Sequence, residues 1–167
     1  MKPDNARFLS AVFCDDIRHE LGNKISLMGC YQRELIVHDS SPSGIIALPK
    51  LCVFATAWTT TEHPFKRFTL HLIQDGQTEL GKVEVPVSQP KEESQPTNET
   101  ASFQQLNALM TFAPFVVDRS MILEIIGRTE TGELRGPRLL ITVKKVEAEP
   151  ATVSARKSRT SGRKRTA

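Results

Sequence analysis

The chain has 167 residues, 39% hydrophobic and 25% charged, with a formal net charge of +3; one domain of this make-up buries roughly two-thirds of its unfolded surface without metal or disulfide staples. The charges are segregated: residues 150–167 hold Arg156, Lys157, Arg159, Arg163, Lys164 and Arg165 and no acid, leaving sixteen basic against nineteen acidic side chains before them. No apolar run nears the ~18 residues of a membrane helix, and three cysteines without a C-x-x-C spacing argue against a disulfide framework.

Residues 1–7 are polar and the apolar run after them ends at Asp15. That run is too short for a secretory leader and lacks a small-residue cleavage site. A reduced, cytoplasmic chain with Cys14, Cys30 and Cys52 as ordinary buried thiols is therefore expected. The first strand is predicted over Phe8–Cys14. The stretch that follows, Asp15-Asp16-Ile17-Arg18-His19-Glu20-Leu21-Gly22-Asn23-Lys24, gathers acids, an arginine and a histidine next to the Cys14 thiol. Capping chemistry predicts that an aspartate starts a single helical turn over residues 17–21 and that Gly22 stops it. Arg18 beside Asp15, Asp16 and Glu20 predicts an ionic cluster, either a lock for the corner or a patch that meets a partner.

Residues 25–37 read as one long or bent strand with Gly29 as a bulge. Leu51 to Trp58 is more apolar and predicts a central strand, ending in the single tryptophan and three threonines. Trp58, Tyr31 and Phe65 each read either as core or as half-exposed anchors of a binding surface. Alternation in Phe68-Thr69-Leu70-His71-Leu72 and in Lys82-Val83-Glu84-Val85-Pro86-Val87, with Asp75-Gly76 between them, predicts a hairpin. Pro86 cannot donate to a ladder and belongs at a strand end or sheet edge.

Residues 88–100 are rich in Pro, Glu, Gln, Ser and Thr and predict a long exposed loop. Residues 103–115 suit either a short helix or a strand. A second hairpin is predicted from Met121–Ile126 and Leu139–Val143, with Thr131-Gly132 and Gly136-Pro137 in its loop. Seven or eight short strands with few helical stretches predict an all-β, Ig-like β-sandwich over residues 1–148, followed by a disordered basic tail over residues 149–167.

Chemistry is weakly signalled. Cys14, Asp15, Asp16 and His19 could centre a metal-dependent enzyme or hydrolase, but a second ligand cluster at a defined spacing is missing. No glycine-rich phosphate loop, G-x-S-x-G or H-E-x-x-H occurs. No cofactor or metal is implied. The leading expectation is a cytoplasmic binding or interaction module without catalytic activity. Its candidate partner loops are Gly22–Asn23, Asp39–Gly44 and residues 88–100, and its partner is expected to be a protein, not a membrane. The alternative is non-specific nucleic-acid binding, with the tail cations neutralising phosphates; the same tail also reads as a solubilising end, since it lacks aromatics for stacking on bases.

Two stretches, AVFCDDIRHELGNKISLMGCY and LPKLCVFATAW, resemble a family of small bacterial and phage-associated β-rich proteins, a domain of unknown function. The matching features are Asp15, Asp16, Arg18, Gly22, Lys24, Ser26, Leu27, Gly29 and Tyr31, then Leu48-Pro49-Lys50-Leu51. Asn23, between Gly22 and Lys24, departs from the family's Gly-Lys turn. The resemblance implies a compact β-rich domain and brings no catalytic residues with it.

Overall fold

The computed structural model describes residues 7–39, 43–87 and 103–145, and every helix or strand among them is a strand. The expected all-β class is therefore what the chain adopts. No helix is long and apolar enough to cross a membrane among these residues. The predicted tail and the predicted 88–100 loop lie outside them.

Two sheets carry the core. The smaller is antiparallel, in the order β1 (Phe8–Cys14), β6 (Leu51–Thr60), β9 (Phe103–Phe112). The larger runs β4 (Glu34–Asp39), β12 (Glu133–Lys145), β11 (Met121–Thr129), β7 (Phe68–Gln74), β8 (Thr78–Val85). Its neighbours are antiparallel except the β4–β12 pair, which is parallel. Two short ribbons complete the set, β2 (Asp16–Glu20) with β3 (Lys24–Met28) and β5 (Ile46–Leu48) with β10 (Phe115–Val117).

Strand side chains alternate between faces. Leu9, Phe13, Val53, Ala55, Ala57, Leu106, Ala108 and Met110 from the smaller sheet meet Phe68, Leu70, Leu72, Leu123, Ile125, Leu139 and Ile141 from the larger in one buried cluster. Burying each large apolar side chain contributes about 1.5–3 kcal/mol. The small side chains of Ala55, Ala57 and Ala108 leave volume for the phenylalanines and leucines opposite, as close packing requires.

The Asp75-Gly76 hairpin forms as predicted, and β8 ends immediately before Pro86. Three expectations are corrected, and the alternative left open for residues 103–115 is settled. Residues 17–21 make no helical turn; Asp16–Glu20 pairs with Lys24–Met28 across a tight turn in which Gly22 and Asn23 both have positive φ, 78° and 61°. Glycine and asparagine tolerate that conformation best, so the Gly-Asn pair closes a hairpin where an aspartate cap was expected. Residues 25–37 split into β3 and β4, because the chain turns at Gly29 (φ 64°) and Tyr31 then bridges to Phe13. Residues 103–115 hold strands β9 and β10, no helix. Gly136-Pro137 lies inside β12: the register passes from Glu124↔Arg138 to Ile126↔Arg135, and the one extra residue forms a bulge that accommodates the proline. With the extra breaks and ribbons, the described strands number twelve, against the seven or eight expected.

One clasp, unmarked in the sequence, ties the start of β1 to two loops. The Arg7 guanidinium donates to the Glu130 carboxylate, to Thr131 Oγ1 (2.7 Å) and to the Pro64 carbonyl (3.1 Å), and lies 4.9 Å above the Phe65 ring. Glu130 also accepts from the amides of Lys66 (3.1 Å) and Arg67 (3.2 Å). Burial works to raise the Glu130 carboxyl, but these donors outweigh it and hold it at about 2, against an ordinary 4.5. A carboxyl lowered by folding stabilises the fold fully above its ordinary value and loses that contribution as pH falls. Melting temperature should accordingly fall between about pH 5 and pH 2 more steeply in the native chain than in Glu130→Gln. At neutral pH that variant should lose about 2 kcal/mol in a urea titration, the worth of charged hydrogen bonds left unmade.

Candidate functional site

The corner after β1 is built by backbone first. The Asp15 amide donates to the Met28 carbonyl (2.9 Å) and the Tyr31 amide to the Phe13 carbonyl (2.8 Å), which anchors the β2–β3 hairpin against β1. The Asp15 carboxylate sits over Gly29, where any Cβ would collide with it, and accepts a hydrogen bond from the Tyr31 hydroxyl. Burial first, and then this bond, push the Tyr31 phenol up.

Asp16 points elsewhere. It accepts from Lys50 Nζ (2.8 Å) and Arg18 Nε (3.2 Å), which together hold its carboxyl below the ordinary range, Lys50 contributing more. The predicted ionic cluster is thus divided. Arg18 meets Asp16 as expected, Lys50 joins from the turn before β6, Glu20 pairs with Ser26, and Asp15 belongs to Tyr31. Adjacent residues on an extended chain point to opposite sides, so Asp15 and Asp16 never had one partner in common.

The three thiols are free; Cys14 and Cys52 are buried and Cys30 is exposed, contrary to the expectation that all three are buried. Cys14 and Cys52 are register partners on β1 and β6. Burial, with Cys52, Cys30 and Asp15 nearby, pushes the Cys14 thiol up to about 11. That keeps it protonated at neutral pH, the opposite of an activated nucleophile. No hydrogen bond links it to His19, which is exposed on β2. Among the described residues no three His, Cys, Asp or Glu side chains converge as metal ligands. The structure therefore does not bring Cys14, Asp15, Asp16 and His19 together.

A surface emerges instead on the outer face of the smaller sheet. Register places Phe8, Trp58 and Gln105 in one cross-strand row, then Ser10, Thr56 and Asn107, then Val12, Phe54 and Leu109, then Cys14, Cys52 and Thr111; Thr60 and Phe103 pair beyond the first row. None of these side chains is charged. Phe8 is 62% exposed, Phe103 60% and Trp58 36%. Of the sequence-flagged aromatics, Trp58 proves half-exposed on this face, Phe65 is core, and Tyr31 belongs to the corner. Phe8 and Phe103 carried no signal, because each reads as an ordinary apolar strand residue until its partner strand is known.

The outer side of the larger sheet contrasts with this face. Buried Glu124 is held by Arg135 (3.0 Å) and Arg138 (3.1 Å), Arg128 pairs with Glu133 (3.0 Å), and buried His71 shares a 2.7 Å hydrogen bond with Glu79. A cleft of about 440 Å³ opens beside β10, floored by Leu80, Phe112, Phe115 and Met121; Arg119 at its rim is engaged by Asp75 at 2.9 Å. At the tip of the β2–β3 hairpin, beside the Gly22–Asn23 loop, Leu21 is 95% exposed. The candidate loop at Asp39–Gly44 is described only in part, and residues 88–100 and the tail cations Arg156, Lys157, Arg159, Arg163, Lys164 and Arg165 lie outside the described residues.

No protein-family model and no curated protein matches the chain.

The corner separates two roles that the sequence writes side by side. Gly29→Ala should destabilise the fold by about 2–3 kcal/mol, since it strains a left-handed residue and drives a methyl into Asp15. Asp16→Asn should cost clearly less than this, as expected of an exposed ion pair. Urea denaturation of both variants checks the ordering.

Proposed function

We propose that this chain is an Ig-like β-sandwich that works as a protein-binding module, with the uncharged outer face of β1, β6 and β9 as its contact surface. The observation that carries the reading is the exposure of Phe8, Trp58 and Phe103 together on a face without a single charge. Interface centres are depleted of charge and enriched in aromatic residues, and tryptophan is among the commonest binding hot spots. Leaving three large rings in water is unfavourable for a surface with no partner.

The Ig-like part of the reading is supported by topology. An order of β1-β6-β9 in one sheet and β12-β11-β7-β8 in the other, with β4 added in parallel beside β12, follows the A-B-E and G-F-C-C′ pattern of such sandwiches. The sheets share one core, as packed sheets do. The resemblance to small bacterial and phage-associated β-rich proteins fits the same architecture. Three unpaired thiols fit a reducing, cytoplasmic setting.

The test is capture of a partner from the source cell by the native chain and by Trp58→Ala and Phe103→Ser. Both variants should keep their melting temperatures within a few degrees and lose at least tenfold in partner affinity. Capture unchanged in both would overturn the assignment of this face.

A further inference from the structure

Cysteines that lie opposite one another on paired strands are already within bonding reach, so register decides which thiols can join. Tyr31 bridges to Phe13 and Met28 pairs with Asp16, both antiparallel. The two pairings belong to one register, which sets Cys30 opposite Cys14 and Gly29 opposite Asp15. The Asp15 carboxylate, lying where a Gly29 Cβ would stand, agrees with that register. On its other side Cys14 is opposite Cys52, and Cys52 is opposite Thr111. Three free thiols therefore stand in one cross-strand row, with Cys14 in the middle. Residues directly opposite in an antiparallel pair share a face.

The two gaps in the row differ. The Tyr31 amide bonds the Phe13 carbonyl (2.8 Å) and the Asp15 amide also reaches the Gly29 carbonyl (3.3 Å), one bond on each side of Cys14 and Cys30. Bracketing of this kind marks a non-hydrogen-bonded pair, whose Cα atoms lie about 4.5 Å apart with the side chains close. The backbone groups of Cys14 then face β6, so Cys14 and Cys52 form the hydrogen-bonded kind, about 5.5 Å apart. Cys52 Sγ has other partners as well, the Asp15 carbonyl at 3.8 Å and Thr111 Oγ1 at 3.6 Å. Exposure separates the thiols further: Cys30 meets solvent, whereas Cys14 and Cys52 are buried.

We infer that Cys30 and Cys14 form a redox-modifiable pair, in which exposed Cys30 takes up a small disulfide from solution and Cys14 closes a protein disulfide behind it. The Cys30 thiolate attacks the S–S bond of a small disulfide RSSR; the Cys30–SR bond forms and one RS⁻ leaves. The Cys14 thiolate then attacks Cys30 Sγ; the Cys14–Cys30 bond forms and the second RS⁻ leaves. Each departing thiolate takes up a proton released by a protein thiol, so two protein thiols lose two electrons in total and RSSR becomes two RSH. Burial, helped by Cys52, Cys30 and Asp15, holds the Cys14 thiol at about 11. The first step therefore belongs to Cys30, and the closing step is the slow one. The closed loop contains the whole β2–β3 hairpin and fastens it covalently to the end of β1. None of this depends on what the outer face of the smaller sheet binds.

The test uses the full chain, reduced and then freed of reductant, at low micromolar concentration. Oxidised glutathione is added at neutral pH, the reaction is quenched in acid, free thiols are alkylated, and tryptic peptides are mapped by mass spectrometry. Cleavage after Arg7, Arg18, Lys24, Arg33, Lys50 and Lys66 places the cysteines on separate peptides, 8–18, 25–33 and 51–66. Peptide 8–18 should appear joined to 25–33, after a transient glutathione adduct on 25–33. Cys30→Ser should slow all oxidation at least tenfold, Cys14→Ser should stop at the adduct, and Cys52→Ser should leave the bond and its rate unchanged. The same treatment of the native chain in concentrated urea should give a mixture of pairings. Peptide 8–18 joined to 51–66 in the folded chain overturns the inference, as does an adduct on Cys30 that persists without closing. So does a cross-link between the Cys30 residues of two chains. Equal selectivity in urea also overturns it, because the pairing would then come from nearness in sequence and not from register.

Discussion

The two-residue period of β6 governs most of this molecule. Val53, Ala55 and Ala57 point into the core, so Cys52, Phe54, Thr56 and Trp58 must point away from it. Both sets are largely apolar, which an antiparallel strand with one wetted face ordinarily avoids. At the Cys52 end the outward side chains are buried: Cys14 and Cys52 are both out of water, with Cys52 Sγ 3.8 Å from the Asp15 carbonyl and 3.6 Å from Thr111 Oγ1. At the Trp58 end the described residues leave the face uncovered, and the aromatic rings remain in contact with water. One strand thus carries both the hydrophobic core and the surface proposed for a partner.

That arrangement makes the corner a structural device with a functional consequence. Gly29 lets Asp15 lie flat against the chain, Tyr31 ties Asp15 down, and the backbone bonds of Asp15 and Tyr31 set the hairpin against the edge of β1. Beside this corner, burial first and then the neighbouring Cys52, Cys30 and Asp15 keep the Cys14 thiol protonated. The acids, arginine and thiol that suggest chemistry in the linear sequence are spent on geometry: Asp15 on a turn, Asp16 on Lys50 and Arg18, Glu20 on Ser26. At the opposite end of β1, Arg7 and Glu130 perform the same task for the loops around Phe65. The smaller sheet is therefore tied at both ends of β1.

Period-two patterning made the strands legible where apolar and polar residues alternate, as in β7 and β8, and Asp75-Gly76 marked the hairpin because few residue pairs accept its backbone angles. Patterning failed where the answer lay in pairing. Gly136-Pro137 has the composition of a loop and sits in a bulge, since β11 accommodates the one extra residue within the ladder. Residues 17–21 have the composition of a capped turn, yet all but Leu21 belong to strand β2, since β3 offers them a partner. Arg7 lies in the polar start of the chain, and Glu130 lies between the two strands predicted for the second hairpin. Their meeting spans more than 120 residues, and no local signal encodes it.

By itself the sequence determined the class of fold: β-branched and apolar residues at alternate positions, broken by Gly, Pro, Asn and Asp, leave the backbone little choice but strands and turns. It determined as well that the charges divide between an acidic body and a basic end. What surface those strands present was decided only in three dimensions. Whether Phe8, Trp58 and Phe103 are core or contact depends on which strands lie beside them and what lies above them. Burial is a property of neighbours, and neighbours distant in the chain are chosen by the packing of the whole.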